Sequence, residues 1–318
     1  MLARKLYYYV KPLVPRAVQI QLRREMVARK RLRCADRWPI LQKAAKVPGN
    51  WYGWPENKRF SLVLTHDVES FFGQEKCSSL AGMEERLGFR SAFNLVPLRY
   101  NVSAELRRKL VEKGFEIGVH DYDHDGKLFS SYRIFRERAP VINHFLKEWN
   151  SEGFRAAAML HNLEWIGELD IEYDCSTFDT DPFEPQPEPA ETIFPFLVNR
   201  KSGGGPYVEL PYTLAQDFTL FVLMEQREID IWKRKLDWIA EHGGMALINT
   251  HPDYMHFGNG EMGIQEYPAD YYEQFLQYVL DNYGGEFWNA LPCEVARYSR
   301  TVLTSETEAG FLKSRRCT

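Results

Sequence analysis

Long apolar runs are missing from this chain. The longest, Phe218 to Met224, spans seven residues with a threonine inside it, about a third of the ~20 that a membrane-spanning helix needs, so no such helix is expected. Cysteine is sparse: Cys34, Cys77, Cys175, Cys293 and Cys317 are scattered over 318 residues with no CxxC pair. This excludes a disulfide framework and a cysteine zinc site, and fits a reducing cytoplasm. A secretory signal would need an unbroken apolar core of ~7 to 15 residues, whereas Leu6 to Val10 is followed at once by Lys11 and Pro12. Export by that route is not expected. The signatures GxxxxGK[ST], GxGxxG and GxSxG are also absent, and Gly203, Gly204 and Gly205 are not followed by lysine. Nucleotide hydrolysis and serine esterase chemistry are thereby disfavoured.

With 44% hydrophobic and 26% charged residues the chain can bury a full core. Its net charge of -4 hides an asymmetry: residues 1–37 carry 11 Lys/Arg against 2 Asp/Glu, leaving 29 against 42 for the rest. The body is acidic, and no nucleic-acid partner is expected. Within the head, Val18, Leu22 and Met26 recur every four residues among arginines and lysines, after a Pro15 suited to a first helical turn. Residues 1–50 therefore read as a basic helical extension. Two uses are open: packing on the main domain through this stripe, or peripheral contact of residues 1–37 with an anionic membrane.

From Phe60 onward, strand-like segments (60–67, 90–96, 115–120, 154–160, 207–212, 245–250 and a short one near 172–176) alternate with helical ones (103–113, 131–149, 228–242, 268–283). Such alternation indicates a parallel α/β architecture. The acidic, proline-rich stretch 179–190 is a loop, 51–300 is the body, and 301–318 is expected to be a polar, frayed tail.

Two strand ends carry candidate chemistry. The first strand ends in Thr65-His66-Asp67-Val68-Glu69, where a period of two puts Asp67 and Glu69 on one face. By itself this pair also fits a solvated loop. Another apolar strand ends in His120-Asp121-Tyr122-Asp123-His124. A four-residue spacing would bring both imidazoles to one side of a helical turn, a geometry suited to zinc, nickel or cobalt, although surface histidines share that spacing. His66, on the other strand face beside Leu62 and Leu64, reads as a packed histidine.

These segments together resemble the polysaccharide deacetylases, the NodB-homology group of carbohydrate esterases, in order and spacing from about residue 57 to 255. Asp67-Val68-Glu69 is similar to the first motif, with glutamate in place of a second aspartate; Glu116 to His124 resembles the second. Gly153-Phe154-Arg155 resembles the start of the third, with Ala157 and Ala158 where Pro-Tyr is usual. Tyr173 to Asp181 resembles the fourth, and Ile248-Asn249-Thr250-His251-Pro252 the fifth. The resemblance implies an α/β fold, a distorted (β/α)7 barrel with the basic helix appended. It also implies a divalent transition metal, zinc with cobalt or nickel as alternatives, on Glu69, His120 and His124. In it Asp67 is the base, oriented by Arg155, and His251 is the general acid, its imidazolium favoured by Asp179 or Asp181, of which Asp181 is the expected partner. The implied reaction is removal of an N-acyl group from an acetamido sugar, nucleotide-linked, lipid-linked or oligosaccharide, in surface-glycan biosynthesis. Deformylation of a lipid-linked amino sugar is chemically equivalent, and a non-catalytic glycan-binding relative is the rival from another class.

Overall fold

Strand β1 (Phe60–Val68) is buried at all nine positions, the pattern of a strand covered on both faces. The protein is described by a computed structural model over residues 15–186, 188–201 and 203–314. Parallel neighbours flank β1: β8 (Met245–Thr250) pairs it along its length, and β2 (Ala92–Leu95) pairs its C-terminal half. The order then runs through β3 (Glu116–His120), β4 (Gly153–Arg155), β5 (Tyr173–Asp174) and β7 (Tyr207–Glu209), all parallel. A bridge between Leu214 and Ile248 brings the chain beyond β7 back against β8, so seven parallel positions curl into a distorted (β/α)7 barrel. Two further strands extend it, β6 (Phe196–Val198) antiparallel to β7 and β11 (Phe287–Asn289) beside the start of β1. A separate ribbon pairs β9 (Met255–His256) with β10 (Tyr267–Pro268).

The strand period sorts β1 into two environments. Leu62 and Leu64 join the large core between sheet and helices, whereas Val63 packs inside the barrel with Tyr173, Val208, Tyr212 and Leu247. Thr65 and Asp67 continue the Val63 face, so the polar residues cap the barrel's apolar interior at the C-terminal strand ends. That is where barrels concentrate their chemistry.

The helices are α1 (Arg16–Arg33), α2 (Phe71–Leu87), α3 (Ala104–Glu112), α4 (Tyr132–Glu148), α5 (Leu163–Ile166), α6 (Asp230–His242), α7 (Asp270–Tyr283) and α8 (Pro292–Ser314). Ser70, Ser103 and Ser131 cap the N-termini of α2, α3 and α4 through their side chains. Among the described residues no helix is long and apolar enough to cross a membrane.

Three expectations are corrected. The apolar stretch 154–160 is not one strand: β4 stops at Arg155, and Ala158 and Met159, with φ of 51° and 50°, turn the backbone out of the sheet. The tail is not frayed from residue 301, because α8 continues to Ser314 with Val302 fully buried. The stripe Val18, Leu22, Met26 is exposed (47, 54 and 69%), and α1 packs instead through Ile20 and Val27 onto Phe218, Val222 and Leu223. Residues 1–14 lie outside the described part. Trp38 and Ala44, within the expected extension, belong to the main core.

Candidate active site

Sheet register builds the centre of the site. Asp67 is level with Asn94 on β2, Asn94 with Gly118 on β3, Thr65 with Asn249 on β8, and His120 with Arg155 on β4. Asp67, 1% exposed, accepts from Asn94 Nδ2 (2.9 Å) and Arg155 Nη1 (3.1 Å) at Oδ1 and from Asn249 Nδ2 (2.8 Å) at Oδ2. Arg155 is itself fully buried; the same Nη1 donates to Thr65 Oγ1 (2.9 Å) and Asn249 Oδ1 (2.6 Å), and Nε donates to the Cys175 carbonyl (3.0 Å). Burial alone would raise the Asp67 carboxyl, but the charge of Arg155, with a smaller contribution from His251, holds it well below the usual range. A Cβ at position 118 would collide with the Asn94 side chain, so the glycine of the Glu116-Ile117-Gly118 strand makes room for a residue that holds Asp67.

Glu69, His120 and His124 converge beside it, one ligand-type atom of each lying within 4.8 Å of the others. The convergence is not made by a helical turn. His120 ends β3, and the loop reaches His124 through left-handed backbone at Asp121 (φ 58°) and His124 (φ 59°). Asp and His tolerate that conformation better than most residues, though each costs about 1–3 kcal/mol that the surroundings must offset. Asp121 is fixed by accepting from Tyr122 N (2.6 Å) and Ala157 N (3.1 Å). The two imidazole centroids end 5.0 Å apart.

His120 donates from Nδ1 to the Arg155 carbonyl (3.0 Å), which leaves Nε2 as a bare lone pair. Burial pushes its pKa down to about 4, keeping the ring neutral. Its Nε2, 3.8 Å from Asp67 Oδ2, has no hydrogen-bond partner, and neither does the buried Nε2 of His124, 3.1 Å from Glu69 Oε1. Two orphaned imidazole nitrogens facing a carboxylate are a poor arrangement without a cation and a good one with it. Ligand atoms on a shared tetrahedral ion sit about 3.4 Å apart at usual zinc distances, a separation close to the His124–Glu69 contact. The residues fit a divalent transition metal. The other Glu69 oxygen accepts from Tyr254 Oη (2.9 Å), and the Glu69 amide donates to Asp253 Oδ2 (2.9 Å).

Across the cleft His251, 4% exposed, has Nε2 3.8 Å from Glu69 Oε1. Its Nδ1 donates to Asp217 Oδ1 (2.7 Å) and its amide to Asp217 Oδ2 (2.7 Å), while Tyr267 Oη also donates to Oδ2 (2.9 Å). Burial would lower this histidine, but the Asp217 carboxylate outweighs it and lifts the pKa to about 10. The expected partner Asp181 is elsewhere, accepting from Phe183 N (2.8 Å) and Tyr212 Oη (2.9 Å), and Asp179 is tied to Lys235 Nζ (2.5 Å). The loop after β5 folds against Tyr212 and α6, leaving the place at His251 to Asp217, at the head of the apolar segment Phe218–Leu223.

The structure thus brings together Asp67, Arg155, Glu69, His120, His124 and His251, and replaces Asp181 by Asp217. Asn94, Asn249 and Tyr254 join them as hydrogen-bond partners, a role that no sequence motif marks. A lone asparagine in each of two apolar strands was the available signal for the first two. His66 is packed as expected, between Thr250 Oγ1 (2.7 Å) and Glu84 Oε1 (2.9 Å). Asp67, Glu69 and the three site histidines all line one open cleft of about 1540 Å³, with Phe183, Phe218 and Tyr254 on its walls and Tyr212 buried behind.

No family model and no curated protein matches the sequence. Solved structures do match in shape. A protein from Mycobacterium smegmatis described as a polysaccharide deacetylase superposes with a TM-score of 0.62 at 17% identity, over 80% of this chain and 95% of its own. A Pseudomonas aeruginosa protein of the same description gives 0.57 at 16%, over 78% and 93%. The fold is that of the polysaccharide deacetylases. An allantoinase, Puue, shares it with a TM-score of 0.61 at 14% identity, over 80% and 94%, so the fold alone does not select the substrate.

Proposed function

We propose that this chain is a metal-dependent hydrolase that removes an N-acyl group, acetyl in the first instance, from an amino sugar. The observation that carries the reading is the pair of unpartnered, buried Nε2 atoms of His120 and His124 facing Glu69, with Asp67 on one side and His251 on the other.

Glu69, His120 and His124 would hold the ion, which when bound polarises an amide carbonyl and acidifies water. Asp67, kept ionised and aimed by Arg155, Asn94 and Asn249, takes the proton of the attacking water. His251 stands on the far side of the ligand cluster, where it donates its Nε2 proton to the departing amine, a group too basic to leave unprotonated. Asp217, accepting from Nδ1–H, stabilises the imidazolium, the form in which Nε2 also carries a proton to give. The aromatic walls suit the apolar face of a sugar ring.

The test is release of acetate and a primary amine from a panel of acetamido sugars by protein loaded with zinc, cobalt or nickel. Turnover by wild type that disappears in Asp67→Asn supports the reading. Tight glycan binding with no hydrolysis under any metal would instead favour the non-catalytic relative. An N-formyl sugar in the panel covers deformylation.

A further inference from the structure

One basic face of α1 borders the open cleft, with Arg16 and Arg23 half-buried and Lys30 exposed at its rim. Arg16, Gln19, Arg23, Met26 and Lys30 line it together with Asp67, Glu69 and His251, and spacings of three and four put these five residues on one side of a helix. We propose that α1 is a phosphate-binding wall, and that the substrate is an acetamido sugar carrying a phosphoryl or diphosphoryl group whose charge is met by Arg16, Arg23 and Lys30. This rests on the deacylase reading and names its substrate class.

The pairing of charges supports this. On other faces of α1, Arg24 is paired with Glu225 (2.9 Å) and Arg29 with Glu25 (3.7 Å), while Arg31 and Arg33, outside the cleft lining, have no carboxylate within 4.0 Å among the described residues. Elsewhere on the cleft wall Lys76 is paired with Glu266 (2.9 Å) and Lys127 with Asp125 (3.5 Å), and Arg99 donates to the His124 carbonyl (3.2 Å). Among the described residues, Arg16, Arg23 and Lys30 have no carboxylate within 4.0 Å. Half-buried Arg16 donates from Nε to the neutral Gln265 side chain (2.9 Å), and half-buried Arg23 lies over the Phe218 ring, 4.8 Å from its centroid. Stacking on Phe218 holds the guanidinium in place without consuming its charge.

The acid facing this wall does not cancel it. Tyr212 Oη lies 2.9 Å from Asp181 Oδ2 and 2.8 Å from Glu184 Oε1. Glu184 Oε1 also accepts from Gln216 Nε2 (2.6 Å). Burial and then the Asp181 charge raise Glu184 to about 8, which weakens the negative charge it sets against Arg23. A neutral oligosaccharide has no use for three uncompensated cations. A phosphoryl group does, since guanidinium forks match its oxygens in pairs. From Arg16 to Lys30 the helix runs about 21 Å at 1.5 Å per residue, enough for a diphosphate and the group it carries. That group is a nucleoside or a lipid chain, and the exposed Val18 and Leu22 at the outer edge of the wall would serve the second.

The experiment uses full-length, metal-loaded protein and the triple variant Arg16→Gln, Arg23→Gln, Lys30→Gln, with Arg23→Lys as a charge-conserving control and folding checked by melting. Substrates are uridine diphosphate N-acetylglucosamine, undecaprenyl-diphosphate N-acetylglucosamine in phosphatidylcholine vesicles, and neutral chitotriose; inorganic pyrophosphate binding is measured by calorimetry. At least one phosphorylated substrate should show a KM about tenfold or more below that of chitotriose. The triple variant should lose that advantage with kcat kept and chitotriose unaffected, and Arg23→Lys should retain part of it. Preference for the soluble or the vesicle substrate then identifies the nucleoside or the lipid. Equal KM values for phosphorylated and neutral sugars, unchanged in the triple variant, overturn the inference. If no sugar is turned over, the deacylase reading fails and pyrophosphate decides the wall separately: binding weakened about tenfold in the triple variant upholds an anion site, and equal binding by both proteins overturns it.

Discussion

Asp217 Oδ1 lies 2.7 Å from His251 Nδ1, and the other oxygen of the same carboxylate accepts from the His251 amide and from Tyr267 Oη. The Phe218 amide also donates to Oδ1 (2.7 Å), so four donors fix the group that orients the proposed general acid. Asp217→Asn retains the shape but removes the charge that stabilises the imidazolium. In acetate-release assays kcat should fall about 10²-fold or more, whereas Asp181→Asn should stay within a few-fold of wild type. Equal losses in the two variants would return Asp181 to the role.

Asp67→Asn removes the proton acceptor while keeping the hydrogen-bonding shape. The expected loss in kcat is ~10²- to 10⁴-fold, with metal content by elemental analysis unchanged. Loss of the metal together with activity would make Asp67 a ligand instead of the base.

Gly118→Ala tests the row Asp67, Asn94, Gly118. The added methyl would meet the Asn94 side chain, and overpacking of this kind costs typically 1–3 kcal/mol. The variant should fold with a lowered Tm and a kcat reduced beyond that of an Ala substitution at a remote glycine such as Gly82, which has open space around its Cβ position.

Much of this site was legible in the sequence because its residues end apolar strands, where a period of two fixes the facing direction of Thr65, Asp67 and Glu69. The pairing of Asp67 with Asn94 and Asn249 was not, since it depends on register between strands 27 and 182 residues apart in the chain. The helical-turn expectation for His120 and His124 gave the right convergence by the wrong path, because positive φ at Asp121 and His124 leaves no mark in a spacing rule. For α1 the apolar stripe leaves two uses open, packing on the body or contact with an anionic membrane. It is Ile20 and Val27 that pack on the body, and stacking of Arg23 on Phe218 lets cationic residues line the cleft that a hydrophobic-face argument would place in solvent. Asp217 was hidden by being the single acid at the head of the longest apolar run, read only for its hydrophobicity.

Glu184 gives a pH prediction. Its carboxyl is raised from 4.5 to about 8 by burial and by the neighbouring Asp181, partly opposed by Tyr212, Arg23 and His251. The folded protein thus holds a proton that the unfolded chain has released, and stability must fall as pH rises from about 4.5 toward 8. Melting curves across that range should decline less steeply for Glu184→Gln than for wild type; identical slopes would show that the carboxyl is already ionised.

The most direct measurement of the central claim is turnover against equivalents of zinc returned to chelator-stripped protein, with an N-acetylated sugar the wild type accepts. Rates should rise from near zero and level off at about one equivalent, the stoichiometry of a single site with three protein ligands, and the His120→Ala, His124→Ala double variant should remain inactive at every addition. Undiminished hydrolysis by the stripped protein, or a wild-type response in the double variant, would contradict the assignment of Glu69, His120 and His124 as the metal centre that drives the reaction.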